Sequence, residues 1–312
     1  MRTIHVEAPG LLTTVQDLGR SGYGTLGVSA SGAADPIALR LGNRLVGNPE
    51  NAAGLEKTLL GGTLAFSDPM VLALTGCDFG TTLDGHAVPL WTSFEVASGQ
   101  KLQIGSTRTG ARCYLCVQGG IAVKLFLGSA STHLLSGLGG LEGRALRRGD
   151  VLTVAPAPPG FIHKRVATEV LEQLAFRKTL RVTDGPQWDW FSGSAQDLLL
   201  TIPYRVTEEA NRMGLRLEGA SITANSEEPM ITEGVSLGAI QVPPSGQPII
   251  LFVEQQTTGG YPKIANIISA DMASVGQLRP RDEIRFERIA MADARNALAK
   301  QEKLLASELL NI

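Results

Sequence analysis

Short apolar runs punctuated by turn residues dominate the chain, and they predict strands. Thr3 to Val6 and Leu11 to Val15 read as two strands parted by Pro9-Gly10, where proline lacks the ladder donor and glycine admits turn geometry. Between Gly62 and Pro156 the same rhythm recurs in Met70 to Leu74, Val88 to Val96, Lys101 to Ile104, Cys113 to Val117 and Val151 to Val154. Asp84-Gly85 is placed as a hairpin tip. The second half repeats the manner at Leu180 to Thr183, Arg205, Leu215 to Leu217, Ile249 to Val253 and Ile284 to Phe286.

Two segments carry the helical period instead. Asp35 can accept from orphan amides, Pro36 suits the first helical position, and Ile37, Leu41 and Leu45 recur at helical spacing until Gly47-Asn48-Pro49. Near the end, Met291, Ala294, Leu298, Leu305, Leu309 and Ile312 fall on one stripe. That helix is expected to cover its own domain, with a partner's surface as the alternative. The expected fold class is mainly β with a few helices, in two β-rich domains. The proline run in Ala155 to Gly160 is the linker candidate, giving domains 1–158, with one helix, and 159–312, with the terminal helix.

Composition narrows the function classes. With 28 Lys+Arg against 30 Asp+Glu in 312 residues, no overall field draws the chain to nucleic acid or to an anionic membrane. The 36 glycines against 5% aromatics fit many tight turns between short strands. Three cysteines, Cys77, Cys113 and Cys116, build no disulfide framework and fit a reducing compartment. The first residues lack a leader pattern and no apolar run reaches membrane length, so a cytoplasmic protein is expected.

Several motifs dissolve on inspection. Gly22 to Gly27 matches G-x-G-x-x-G literally, but the following helix waits until Asp35, so a dinucleotide site is not expected. No Walker loop exists in the chain. Cys113 and Cys116 lie in an apolar run with no further ligands near them, which favours core packing over a metal or redox pair. His5, His86, His133 and His163 share no ligand spacing, and no metal is expected. Ser29 to Gly32, before the first helix, reads either as an anion cradle or as an ordinary helix lead-in.

Gln255 to Lys263 is the segment richest in chemistry. Amides, hydroxyls, two glycines, a tyrosine and a lysine follow an apolar strand directly, and loops on a rigid scaffold carry function. Gln241 to Gly246 and Asn211 to Gly214 are similar polar islands. If a barrel brings these turns to one rim, Arg212 and Lys263 would offer positive charge to a carboxylate or a developing oxyanion.

Ordered motifs along nearly the whole chain carry a resemblance. They include Thr14 to Arg20, Ser31 to Asp35, Thr75 to Asp78, Leu127 to Ser129 with Ser131-Thr132, Arg212 to Gly214, Gly238 to Pro243 and Gln256 to Lys263. On these the chain resembles the biotin-dependent carboxyltransferase-like family that embraces allophanate hydrolase subunit 2, KipI antagonists and the C subunit of 5-oxoprolinase. The resemblance implies two cyclophilin-like β-barrel domains and a complex with a KipI-like sister, the B subunit of 5-oxoprolinase, and with its A subunit. It implies ATP-dependent opening of 5-oxo-L-proline, a small cyclic amide, to L-glutamate, with ATP used in the complex. This chain has no Met-Lys-Met site for covalent biotin.

The implied catalytic residues are Arg212, Lys263 and Gln256. The implied substrate-binding residues are Gln241, Pro244, Thr257, Thr258, Gly259, Gly260 and Tyr261, with Ser31 and Asp78 from the first half. Two departures stand out: Glu254-Gln255 precede the Gln-Thr-Thr-Gly-Gly-Tyr run where an acidic residue and then Arg or His are common, and Ala130 replaces a usual basic residue. Two other functions fit the resemblance, a carboxyltransferase for a urea-like substrate and a non-catalytic protein that binds a KipI-like inhibitor.

Overall fold

The computed structural model describes residues 2–157, 161–225 and 230–307, and the backbone of 310–311. The chain forms two units: Met1–Arg20 and Ser31–Leu174 with Leu305–Ile312, and Ser21–Ala30 with Ala175–Leu304. The division therefore falls after Leu174 instead of at the expected 158/159, and the expected linker's Pro158, Pro159 and Gly160 lie outside the described residues. Backbone pairing explains the shift. Lys164–Arg165 pairs antiparallel with Leu310–Asn311, and the Val166 amide donates to the Trp91 carbonyl, so these residues are tied to the first unit. Such ties span long stretches of chain and leave no compositional trace.

The mainly β expectation holds in both units, and among the described residues a closed barrel forms in the second. In the first unit the strands form a seven-stranded and a five-stranded sheet. The helix Pro36–Leu45 starts as read: the Asp35 carboxylate accepts from the Ala38 amide at 3.0 Å, and Gly47 takes φ 74° just past the end. Asp84 and Gly85, with φ of 48° and 87°, join Thr82–Leu83 to His86–Ala87, which is the double positive-φ geometry of a tight hairpin. The run Val88 to Val96 yields a strand only over Ser93–Val96.

The strand Gly54–Thr58 runs between Leu12–Gln16 and Arg112–Val117, and it went unread because two charges lie in it. Both are buried. The Glu56 carboxylate accepts from the Ala34 amide at 2.8 Å and from the Tyr114 hydroxyl at 2.7 Å, while that hydroxyl accepts from the Asp35 amide at 2.7 Å. This chain of donors fixes the helix start onto the sheet. Cys113 and Cys116 are buried within Arg112–Val117, and burial pushes the Cys113 thiol up to about 12. They are inert core thiols.

Lys57 is fully buried, donating to the Gly61 carbonyl at 2.6 Å and to the Thr13 hydroxyl at 3.3 Å. Burial lowers its pKa from 10.5 to about 8. The unfolded chain therefore binds more protons between those values, and stability rises with pH across that window. Below about pH 8 the cost is fully present. We expect urea titrations to show wild type gaining about 3 kcal/mol relative to Lys57→Met on going from about pH 7 to about pH 10.5.

The second unit is a closed barrel in the order Thr179–Asp184, Lys263–Ile267, Ala239–Gln241, Ile249–Leu251, Gly214–Glu218, Tyr204–Val206 and Glu283–Arg288. Alternation sorts the side chains between its faces. Leu215 and Leu217 are buried while Arg216 and Glu218 between and beside them are exposed, so the leucines face the barrel interior. Ile240, Ile250, Tyr204 and Ile284 fill the same interior. The terminal helix spans Met291–Leu305, with Leu309 and Ile312 of the expected stripe outside the described side chains; Gln301 donates to the Ala270 carbonyl of its own unit. No helix among the described residues is long and apolar enough to cross a membrane.

Candidate functional site

The outer face of the barrel carries the candidate site. Arg216 pairs with Ile249, Ile249 with Gln241, and Gln241 with Lys263 across four adjacent strands, so one row of side chains runs across the barrel wall. Gly214 pairs with Leu251 one step along the same face. A Cβ at Gly214 would stand 3.1 Å from the Ile249 side chain, so the glycine keeps this part of the floor uncrowded. Two loops close the flanks, the turn at Asn211 and Met213 on one side and the segment from Gln256 to Tyr261 on the other. Together they enclose a cavity of about 150 Å³.

Its lining is apolar at Met213, Ile249 and Leu251, with Ile249 between Arg216 and Gln241 in the cross-strand row. The Gln241 side is polar. Gln241 is 1% exposed, its Oε1 accepts from Gln256 Nε2 at 3.3 Å, and its Nε2 has no hydrogen-bond partner among the described residues. A buried donor left unmade costs about 1–3 kcal/mol, so an acceptor in the cavity would recover what the empty site loses. Gly259 fixes where that donor sits: a Cβ there would stand 2.4 Å from Gln241 Nε2. Thus Gly259 serves by giving the Gln241 amide room, although it lies in an ordinary backbone conformation.

The two cations expected to share the site are engaged elsewhere. Arg212 Nε donates to Glu254 Oε1 at 2.5 Å, with both side chains 4% exposed. Lys263 Nζ is ion-paired with Glu233, whose carboxyl is held below its usual range by that contact and by Gln187 Nε2 at 2.9 Å. Lys263 also opens a strand instead of ending a loop, its amide donating to Gln187 Oε1 at 3.0 Å. Neither cation lines the cavity. Glu254, which takes the place of part of the expected acid-base pair, is thereby the counterion of Arg212.

The remaining expected residues divide as follows. Gln241, Gln256 and Tyr261 line the cavity. Thr258 and Gly259 form a short strand against Glu233–Gly234, and the Thr257 carbonyl accepts from the Val235 amide, so they frame the loop and do not face the ligand space. Gly260 is exposed in the same loop, and Pro244 is exposed in a turn outside the cavity lining. Ser31 and Asp78 belong to the first unit. There the buried Ser31 hydroxyl donates to the Thr132 carbonyl at 2.8 Å, and the Asp78 carboxylate accepts from the Gly80 amide at 2.7 Å and from Arg108 at 3.0 Å. Both are engaged by partners within the first unit, so the lead-in reading of Ser29 to Gly32 fits Ser31.

Ala130 lies in a tightly bonded turn of the first unit. Asp17 accepts from the Ala130 amide at 2.6 Å, from Ser129 Oγ at 2.6 Å and from Ser131 Oγ at 2.5 Å. The family motifs in this region thus build a carboxylate-centred turn.

The carboxyltransferase domain, subdomain A and B, matches residues 26–288. The chain belongs to this carboxyltransferase-domain family. Over 298 residues it is 39% identical to the 5-oxoprolinase C subunit of Escherichia coli K12, covering 94% of each chain. It is 37% identical over 289 residues to the protein of the same name from Haemophilus influenzae, covering 93% of this chain and 92% of that one. Among solved structures, the K. lactis urea amidolyase superposes with a TM-score of 0.92 at 32% identity, over 97% of this chain and 20% of that one. The chain therefore spans about a fifth of that urea amidolyase, and this carboxyltransferase-domain fold is a module that also occurs inside a far longer protein.

Three residues of the second unit of this carboxyltransferase-domain chain are not marked by its sequence motifs: Arg216, Glu233 and Gln187. Arg216 had a legible signal, since the apolar-charged alternation of Gly214–Glu218 turns it outward. Glu233 and Gln187 had none, because each meets Lys263 only through the barrel's long-range closure.

Proposed function

We propose that the chain is the C subunit of an ATP-dependent 5-oxoprolinase, which opens 5-oxo-L-proline to L-glutamate together with an A subunit and a KipI-like B subunit. The observation that carries this reading is the end-to-end match at 39% identity to a 5-oxoprolinase C subunit of nearly the same length. The cavity supports it chemically. About 150 Å³ lies below the ~300–1,000 Å³ that encloses drug-sized ligands, which suits a five-membered lactam better than a nucleotide. No ATP contact is assigned to the residues of this cavity.

In this reading Gln241 Nε2 donates to the ring carbonyl oxygen, and Gln256 holds the Gln241 amide in the orientation that aims the donor inward. Met213, Ile249 and Leu251 receive the ring methylenes. A donor fixed in a dry site stabilises negative charge that grows on a carbonyl oxygen better than water does, because it need not reorganise. The site would thereby polarise the amide for attack while keeping bulk solvent from the ring.

A carboxyltransferase acting on a urea-like substrate is the second reading, and the superposition on K. lactis urea amidolyase at TM-score 0.92 supports it. Urea also presents a carbonyl oxygen to an amide donor, so the cavity alone does not separate the two. Reconstitution does. With all three proteins of the complex, glutamate released from 5-oxoproline only when ATP is present is the expected result. Product formed only with a carboxybiotin donor would support the second reading, and tight binding to the KipI-like protein without any turnover would point to a regulatory protein.

A further inference from the structure

We infer that Arg216 is the specificity residue for the ligand's carboxylate, so that the site selects a small amide bearing an acid group beside the lactam. The inference rests on the 5-oxoprolinase reading and goes beyond it by assigning the cation. Among the described residues lining the cavity, Arg216 is the one that carries a charge. It stands one strand beyond Ile249 from Gln241 in the same cross-strand row. Gln241 and Arg216 therefore flank the apolar floor made by Ile249, which matches a ring that carries a carbonyl on one side and a carboxylate on the other.

Solvation decides which end takes which group. Burying a carboxylate costs far more than burying an amide oxygen, so the anion belongs at the wetter end. Gln241 is 1% exposed, whereas the Arg216 side chain is 54% exposed and lines both the small cavity and an adjoining open groove of about 600 Å³. Arg216 is paired with Glu209 at 3.4 Å, and the Glu209 side chain is 77% exposed. Such a surface pair is weakly held, and a ligand carboxylate can replace it at little cost. Arg212 and Lys263 offer no such exchange, since both side chains are buried and neither lines the cavity.

The test uses the assembled complex with 5-oxoproline as substrate and 2-pyrrolidinone, the same lactam without its carboxylate, as competitive inhibitor. Arg216→Ala is expected to raise KM for 5-oxoproline about 10- to 100-fold, leave kcat within about 3-fold and leave the inhibition constant of 2-pyrrolidinone unchanged. Arg216→Lys should recover part of the loss. An unchanged KM overturns the inference, as does an inhibition constant that rises in step with it. Absence of 5-oxoproline turnover by the wild-type complex would instead refute the functional reading. The assignment of Arg216 is then decided by saturation-transfer NMR on the full chain. A stronger signal for 5-oxoproline than for 2-pyrrolidinone, lost in Arg216→Ala, supports it; equal signals for both in wild type overturn it.

Discussion

Arg212→Ala is expected to lose about 3–5 kcal/mol of stability in urea titrations, the usual cost of removing one partner from a buried ion pair. Its guanidinium meets Glu254 at 2.5 Å with both side chains 4% exposed, so truncation takes away the charge that faces a carboxylate still held inside the protein. The backbone compounds the coupling, because the Glu254 amide donates to the Arg212 carbonyl at 2.8 Å and holds the two turns together. Replacing both at once, as Arg212→Met with Glu254→Leu, should recover most of the loss, since apolar groups of similar volume often substitute for a buried pair without penalty. Turnover in the single variant is expected to fall only as far as its folded population falls. If Arg212→Ala kept wild-type stability and lost activity, the arginine would be a catalytic group and the counterion assignment would be wrong.

Gln241→Leu should separate in the opposite direction, with kcat/KM for 5-oxoproline reduced about 100-fold or more and the melting temperature unchanged or raised. Leucine has nearly the shape of glutamine and removes the buried donor that lacks a partner, so the fold is relieved of a cost while the site loses its aim. The loss to Gln256 is small because that side chain is exposed and water can replace its acceptor. Gly259→Ala is the companion variant. Its new methyl would stand 2.4 Å from Gln241 Nε2, and the end of a flexible side chain can swing aside, so activity should fall without a comparable fall in stability. Both are read by steady-state kinetics alongside thermal unfolding.

Much of the scaffold was legible because local chemistry and tertiary role agree there. Asp35, Pro36 and Gly47 cap the helix they announce, and Val151 to Val154 forms a strand over those same residues. Legibility failed where a strand carries charge inward. Glu56 and Lys57 broke the apolar pattern of Gly54–Thr58, although both are satisfied by partners from other segments. Gln241 likewise opens a polar island in the sequence, yet it belongs to the strand Ala239–Gln241 of the barrel wall and supplies the key donor.

The candidate site was half visible for the same reason. Polar residues crowded after Ile249–Leu251 marked Gln256 and Tyr261, and both line the cavity. Charge is placed differently. Arg212 and Lys263 stand beside the polar loops in sequence, but Glu254 and Glu233 neutralise them in the fold. Arg216 drew no attention because it sits within a strand. Only the register that sets it across from Ile249 reveals that it shares a face with Gln241.

The central claim is that the Gln241 amide receives a carbonyl oxygen in the cavity on the barrel's outer wall. The most direct measurement is the side-chain amide signal of Gln241 in ¹H–¹⁵N spectra of the full chain, assigned by its absence in Gln241→Leu, during titration with 5-oxoproline. A saturable downfield proton shift of that signal, with smaller shifts at the Gln256 amide and none at the Trp190 indole of the same unit, is the predicted result. Saturable binding detected elsewhere on the protein with the Gln241 signal unmoved would contradict the claim.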